Sequence, residues 1–195
     1  MLSEIFLNSL LASMGLWLLL SITDSLLTVA GAKLYQGTRE QFVFSGSYEL
    51  EPEHQEDVDS YRAISFTFVL GLILYGGVLW IIYANGFKKV FAFVWGGLIF
   101  LQLAVHLRHF RNLLLFSYAK RSKGVAGQIK YERWLSLRLS AYEFLGYGLL
   151  FSIVFLFTGS LIILGGAVAC SLMAIRHWLM AIKSSMRDVI DSRRA

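Results

Sequence analysis

The sequence predicts an all-α fold: a polytopic integral membrane bundle of about five transmembrane helices. Three observations lead there. The chain of 195 residues is 56% hydrophobic and only 16% charged. Several apolar runs reach about 20 residues, the length a helix needs to cross ~30 Å of hydrocarbon. The single proline, Pro52, falls in a polar stretch, so it interrupts no long run. Helices suit lipid because they satisfy their own backbone hydrogen bonds. A barrel would show short segments of alternating polarity, and this sequence does not.

Five spans make one transmembrane domain over residues 1–195: about 5–30, 63–84, 88–110, 138–157 and 160–182. Residues 1–4, Met-Leu-Ser-Glu, lack the basic start of a signal peptide, so the first run is expected to remain as a span. The stretch 138–182 is too long for one crossing. Its only break is Phe157-Thr-Gly-Ser160, which should form a tight turn. Gly165, Gly166, Ala169 and Cys170, with Gly76-Gly77 and Gly96-Gly97, are small residues that allow close helix approach.

Charge sets the expected orientation. With the N-terminus outside and the C-terminus inside, all 18 Lys and Arg residues except Lys88 and Lys89 fall on the cytoplasmic side. That orientation also accounts for the net charge of +5 without nucleic acid as a partner. It places two loops on the cytoplasmic side. The loop 36–62 carries seven carboxylates against Arg39 and Arg62; the basic loop 111–137 follows the third span. Opposite charges on one side should draw the acidic loop back onto the basic end of that span.

The chemistry-bearing residues lie in stripes. Ser21, Asp24, Ser25 and Thr28 recur at helical spacing on the first span. An intramembrane carboxylate such as Asp24 is costly and usually faces a protein interior or wet cavity. Gln102, His106, His109 and Asn112 form a second stripe on the third span. His106 and His109 stand one turn apart and could share a divalent metal ion with Asp24 or Glu49. Glu143, with Ser140 and Tyr147 on its face, lies at a similar depth, as do His54, His177 and Arg176. Asp24, Glu49, Glu51, His106, His109, Glu143 and Arg176 are therefore expected around one cavity at the cytoplasmic boundary.

Asp24 and Thr28, followed by Glu49-Leu-Glu51-Pro52, resemble a pattern in small uncharacterised prokaryotic membrane proteins. There an Asp…Thr helix precedes Glu-x-Asn-Pro. This chain has glutamate in place of the asparagine, and its loop is longer. The likeness covers the first third of the chain. It implies that Asp24, Thr28, Glu49 and Pro52 act as one unit in a prokaryotic plasma membrane, and it implies no reaction.

Three functions are compatible with these residues. One is an oligomeric channel or transporter for an ion or small solute, with Asp24 and the histidines as ion or proton sites. Another is a membrane-embedded metal-dependent enzyme acting on a lipid-linked or peptide substrate. The third is a non-catalytic assembly subunit. Expected partners are membrane lipids and either a second copy or partner membrane subunits. No Gly-rich phosphate loop, Gly-x-Ser-x-Gly elbow or His-Glu-x-x-His motif is present. With one cysteine there is no intrachain disulfide and no cysteine zinc cluster.

Overall fold

The computed structural model describes residues 2–45, 48–122 and 127–192. Lys123, Arg193 and Arg194, used in the charge count, lie outside these residues. The order is α1 (Leu2–Asn8), α2 (Leu10–Gln36), β1 (Phe42–Phe44), a 3-10 turn (Pro52–His54), α3 (Gln55–Asp59), α4 (Phe66–Ala84), α5 (Lys88–Ser122), β2 (Ile129–Tyr131), α6 (Arg133–Thr158) and α7 (Leu161–Ser192). Five of these helices, α2, α4, α5, α6 and α7, are long and apolar enough to cross a membrane.

Local chemistry sets the helix ends. Ser9 starts α2 by accepting a hydrogen bond from Ala12 N–H, and Ser65 starts α4 by accepting from Phe68 N–H. Free N–H groups at a helix start need such partners. Between α6 and α7 the tight turn falls at Gly159, with φ of 62°. Glycine adopts this left-handed conformation without a Cβ penalty.

Several boundaries differ from the sequence reading: the first span is broken at Ser9 and runs on to Gln36, and the last runs past 182 to Ser192. The third helix does not stop near residue 110 but runs to Ser122, and the fourth begins at Arg133 rather than 138. Leaving lipid does not end a helix, and Lys120 and Arg121 suit its last turn. The fold also departs from purely α. Strands β1 and β2 pair in parallel, Phe42 opposite Ile129 and Phe44 opposite Tyr131. Aromatic and β-branched residues favour this, and α4 and α5 supply the long crossover that a parallel pair requires.

The helices α6, α7, α5 and α2 pack in that spatial order, and α4 rests against α2 and α5. In lipid, helices associate through close packing rather than through exclusion of water. Accordingly α5 and α7 meet at glycines. A Cβ at Gly165 would overlap the Phe93 carbonyl, and one at Gly96 would overlap the Ile162 backbone. Trp17, Leu79, Phe91, Trp95 and Ile99 form an apolar cluster in the half of the bundle near the α4–α5 turn. At the opposite end, Tyr35, Phe42, Phe116 and Ala119 pack together under the strand pair.

Candidate functional site

The two polar stripes face each other across α2 and α5. His106 Nδ1 lies 2.7 Å from the Gln102 carbonyl, which can only accept, so this nitrogen carries the proton. Its Nε2 lies 2.8 Å from Thr23 Oγ1, a hydroxyl also within hydrogen-bond reach of the Leu19 and Leu20 carbonyls. One turn further on, His109 Nε2 lies 3.1 Å from Thr28 Oγ1 and 2.9 Å from Asp24 Oδ1. The Thr28 hydroxyl donates to the Asp24 carbonyl, so it accepts from His109. Helical spacing explains the pairing, because steps of three and four keep each stripe on its own face.

The loop between α2 and α4 folds back over this end. Tyr48 stacks on Tyr35 and meets Phe116 edge-on. Asn112 donates to its phenol oxygen at 3.4 Å. Burial pushes the Tyr48 phenol pKa up, against the lowering effect of Asn112 and the nearby arginines. Arg133 donates to the Leu50 carbonyl. The loop's carboxylates reach α7: Arg176 Nη2 lies 2.5 Å from Glu51 Oε2 and 3.0 Å from Glu53 Oε1. His177, only 1% exposed, holds Glu51 Oε1 at 2.7 Å through Nε2. Its Nδ1 lies 2.8 Å from Ser140 Oγ, to which Arg108 also donates at 2.7 Å. Burial acts to raise the Glu51 pKa, but the hydrogen bond and charge of His177, with Arg176 and Arg108, hold it below the usual carboxylate range.

The residues expected around one cavity divide between two. The first, of about 240 Å³, is lined by Asp24, Thr28, Glu49, Glu51, Gln102 and His109, with Arg108, His177 and Phe144 among its other walls. Four carboxylates, Asp24, Glu49, Glu51 and Asp57, face two guanidinium groups, Arg62 and Arg108. The second cavity, about 320 Å³, lies between α5 and α6 and is lined by Phe44, Phe116, Leu139, Ser140 and Glu143, among others. Glu143 thus belongs to the second cavity, because Arg111 draws it there at 2.8 Å. Arg176 is spent on the loop carboxylates, and His106 sits behind the first cavity's wall, against Thr23.

The proposed metal set of His106, His109 and Asp24 is not assembled. Both ring nitrogens of His106 are hydrogen-bonded, to Gln102 and Thr23, so neither points to Asp24. Among the described residues, no three His, Cys, Asp or Glu side chains are gathered as a metal site requires.

What distinguishes the first cavity is its unmet acceptors. Six buried side-chain atoms among the described residues lack an aligned hydrogen-bond partner, and four belong to residues lining this cavity. They are Asp24 Oδ1, Gln102 Oε1, His109 Nδ1 and Glu51 Oε2. Asp24 Oδ1 and Glu51 Oε2 have only their unaligned ionic neighbours, His109 and Arg176. Asp24 Oδ1, Gln102 Oε1 and Glu51 Oε2 are acceptors, and His109 Nδ1 is one in the neutral ring. Buried polar groups normally find partners, so these four atoms, each closed off from water, mark places where the packing around the cavity leaves an acceptor without an aligned donor.

Thr23, Ser140 and Arg108 are contributors that the sequence reading did not place in the site. Thr23 precedes Asp24 by one residue and gave no separate signal. Ser140 was visible only as a neighbour of Glu143, and Arg108 only as one of the basic residues on the cytoplasmic side. No protein-family model, curated protein or solved structure matches this chain.

Proposed function

We propose that this chain is an integral protein of a prokaryotic plasma membrane, N-terminus outside and C-terminus inside, that binds a small hydrogen-bond-donating cation in the first cavity and carries it across. The class is a transporter or channel subunit, acting with a second copy or a partner membrane subunit. The excess of carboxylates in its lining, Asp24, Glu49, Glu51 and Asp57 against Arg62 and Arg108, carries this reading. An ammonium-type ion is favoured over a bare metal ion, because no three-ligand cluster is formed among the described residues. The likeness of Asp24, Thr28, Glu49 and Pro52 to the Asp…Thr, Glu-x-Asn-Pro pattern agrees with a shared polar unit.

The apolar cluster of Trp17, Leu79, Phe91, Trp95 and Ile99 supports a site open to one side only. A transporter in one of its alternating states has that form: a polar site reached from one face and sealed from the other.

Binding of methylammonium to purified protein in detergent tests the reading. Asp24→Asn removes the carboxylate charge while keeping its shape. Losing one charge-assisted hydrogen bond, about 1.5–3 kcal/mol, should weaken binding roughly 10- to 150-fold. Wild-type protein that binds neither methylammonium nor ammonium would overturn the proposal.

A further inference from the structure

The second cavity offers chemistry of a different kind. Its walls include the aromatic rings of Phe42, Phe44 and Phe116 and the side chains of Leu115 and Leu139. Leu115 and Leu139 are also exposed on the outer surface of the bundle. Helices α5 and α6 each pack extensively on α7 but hardly approach one another. Beside this cavity the gap between them is bridged by Arg108 to Ser140 and Arg111 to Glu143. The result is a slot with an apolar wall of Phe42, Phe44, Leu115, Phe116 and Leu139 and the guanidinium groups of Arg108 and Arg111 among its polar residues.

Ser140 lines this slot, and the neutral form of the His177 ring gives its hydrogen bonds one consistent direction. The Glu51 carboxylate only accepts, so His177 Nε2 carries a proton and donates it at 2.7 Å. In the neutral ring Nδ1 then accepts. Arg108 only donates, at 2.7 Å, so the Ser140 oxygen accepts from it and gives its own hydrogen to His177 Nδ1 at 2.8 Å. A hydroxyl, a base and an orienting carboxylate in series form the arrangement that activates a serine nucleophile. Relative to the usual triad the two ring nitrogens exchange roles.

We propose that Ser140 is the nucleophile of an acyl-ester hydrolase site that takes a membrane lipid ester into the second cavity. The Ser140 oxygen attacks the ester carbonyl carbon as its proton passes to His177 Nδ1. The carbonyl π pair becomes an oxyanion beside the Arg108 guanidinium. Collapse re-forms the carbonyl and expels the alcohol oxygen, which takes the proton from His177. Water then attacks the acyl-serine by the same route and gives the free fatty acid and the original hydroxyl. Ester and water become acid and alcohol, and no other reactant is consumed. Glu51 is a positioning residue that holds the His177 tautomer.

The test is labelling of the full chain, in lipid nanodiscs, with a long-chain alkyl fluorophosphonate. Mass spectrometry should place the label on Ser140 of the wild-type protein. Ser140→Ala should lose it, and His177→Gln should slow labelling about 100-fold, the scale of a general base. Ser152→Ala, on the same helix, should label like wild type. Glu51→Gln should move the pH profile of the labelling rate. Wild type should also hydrolyse a fluorogenic long-chain ester, a readout that needs no variant to fold. Wild-type protein labelled and active no faster than a heat-denatured sample, or labelled elsewhere than Ser140, would overturn the proposal.

Discussion

At Glu51, burial and charge pull in opposite directions, and charge wins. Its side chain is only 17% exposed, yet His177 and Arg176 hold the carboxyl ionised. The direction fixes the pH dependence. A carboxylate whose pKa is depressed by folding stabilises the fold above its unfolded value, about 4.3. That contribution is lost as pH falls through the folded value. Thermal melts taken as pH falls from about 6 to about 3 should therefore show a loss that Glu51→Gln lacks. His177→Ala should lower stability at neutral pH by about 3 kcal/mol, because it removes a buried partner from both Glu51 and Ser140 and leaves them only Arg176 and Arg108. An unchanged melting temperature would remove the Ser140–His177–Glu51 chain from the account. By contrast Arg111, 60% exposed, contributes no more than about 1 kcal/mol through Glu143.

At the scale of elements, periodicity in the sequence was enough for the helices and for each polar stripe, but not for whether the two stripes face each other. Asp24 and Thr28 meet His109 because both stripes keep helical spacing. The loop also folds back as its charge suggested, but through different partners. Its carboxylates pair with Arg176 and His177 on α7, while its contact with α5 is aromatic, through Tyr48 and Phe116. Formal charge counts say that two segments attract and not which side chain is within reach. The strand pair was hidden for a related reason, since three-residue strands acquire meaning only when a distant partner lies alongside. Two substitutions probe this level. Gly165→Ala, whose Cβ meets the Phe93 carbonyl, should lower stability by roughly 1–3 kcal/mol. Gly77→Ala, with open space around it, should be neutral or raise stability by up to about 1 kcal/mol. Equal melting temperatures for the two variants would contradict the α5–α7 packing described here. Phe116→Ala should cost about 3–5 kcal/mol and free the strand pair for proteolysis.

At the scale of the whole molecule, polar and apolar residues are segregated along the bundle. One end holds two cavities and the hydrogen-bonded histidines; the other is packed with Trp17, Phe91 and Trp95. The proposed orientation puts the polar end inside the cell. A cysteine placed at Gly86, in the α4–α5 turn, should react with an impermeant thiol reagent applied to intact cells, and one at Lys130 should not. Cys170 is buried and should not interfere. The sequence showed the polar residues at one depth but not that Arg108 and the loop divide the space in two, because depth along a helix carries no information about contacts across it. The most direct test of the central claim is uptake of methylammonium into proteoliposomes driven by a pH gradient. The account predicts wild-type uptake well above that of protein-free vesicles and its loss in Asp24→Asn. Wild-type uptake equal to that of empty vesicles, or an Asp24→Asn variant as fast as wild type, would contradict it.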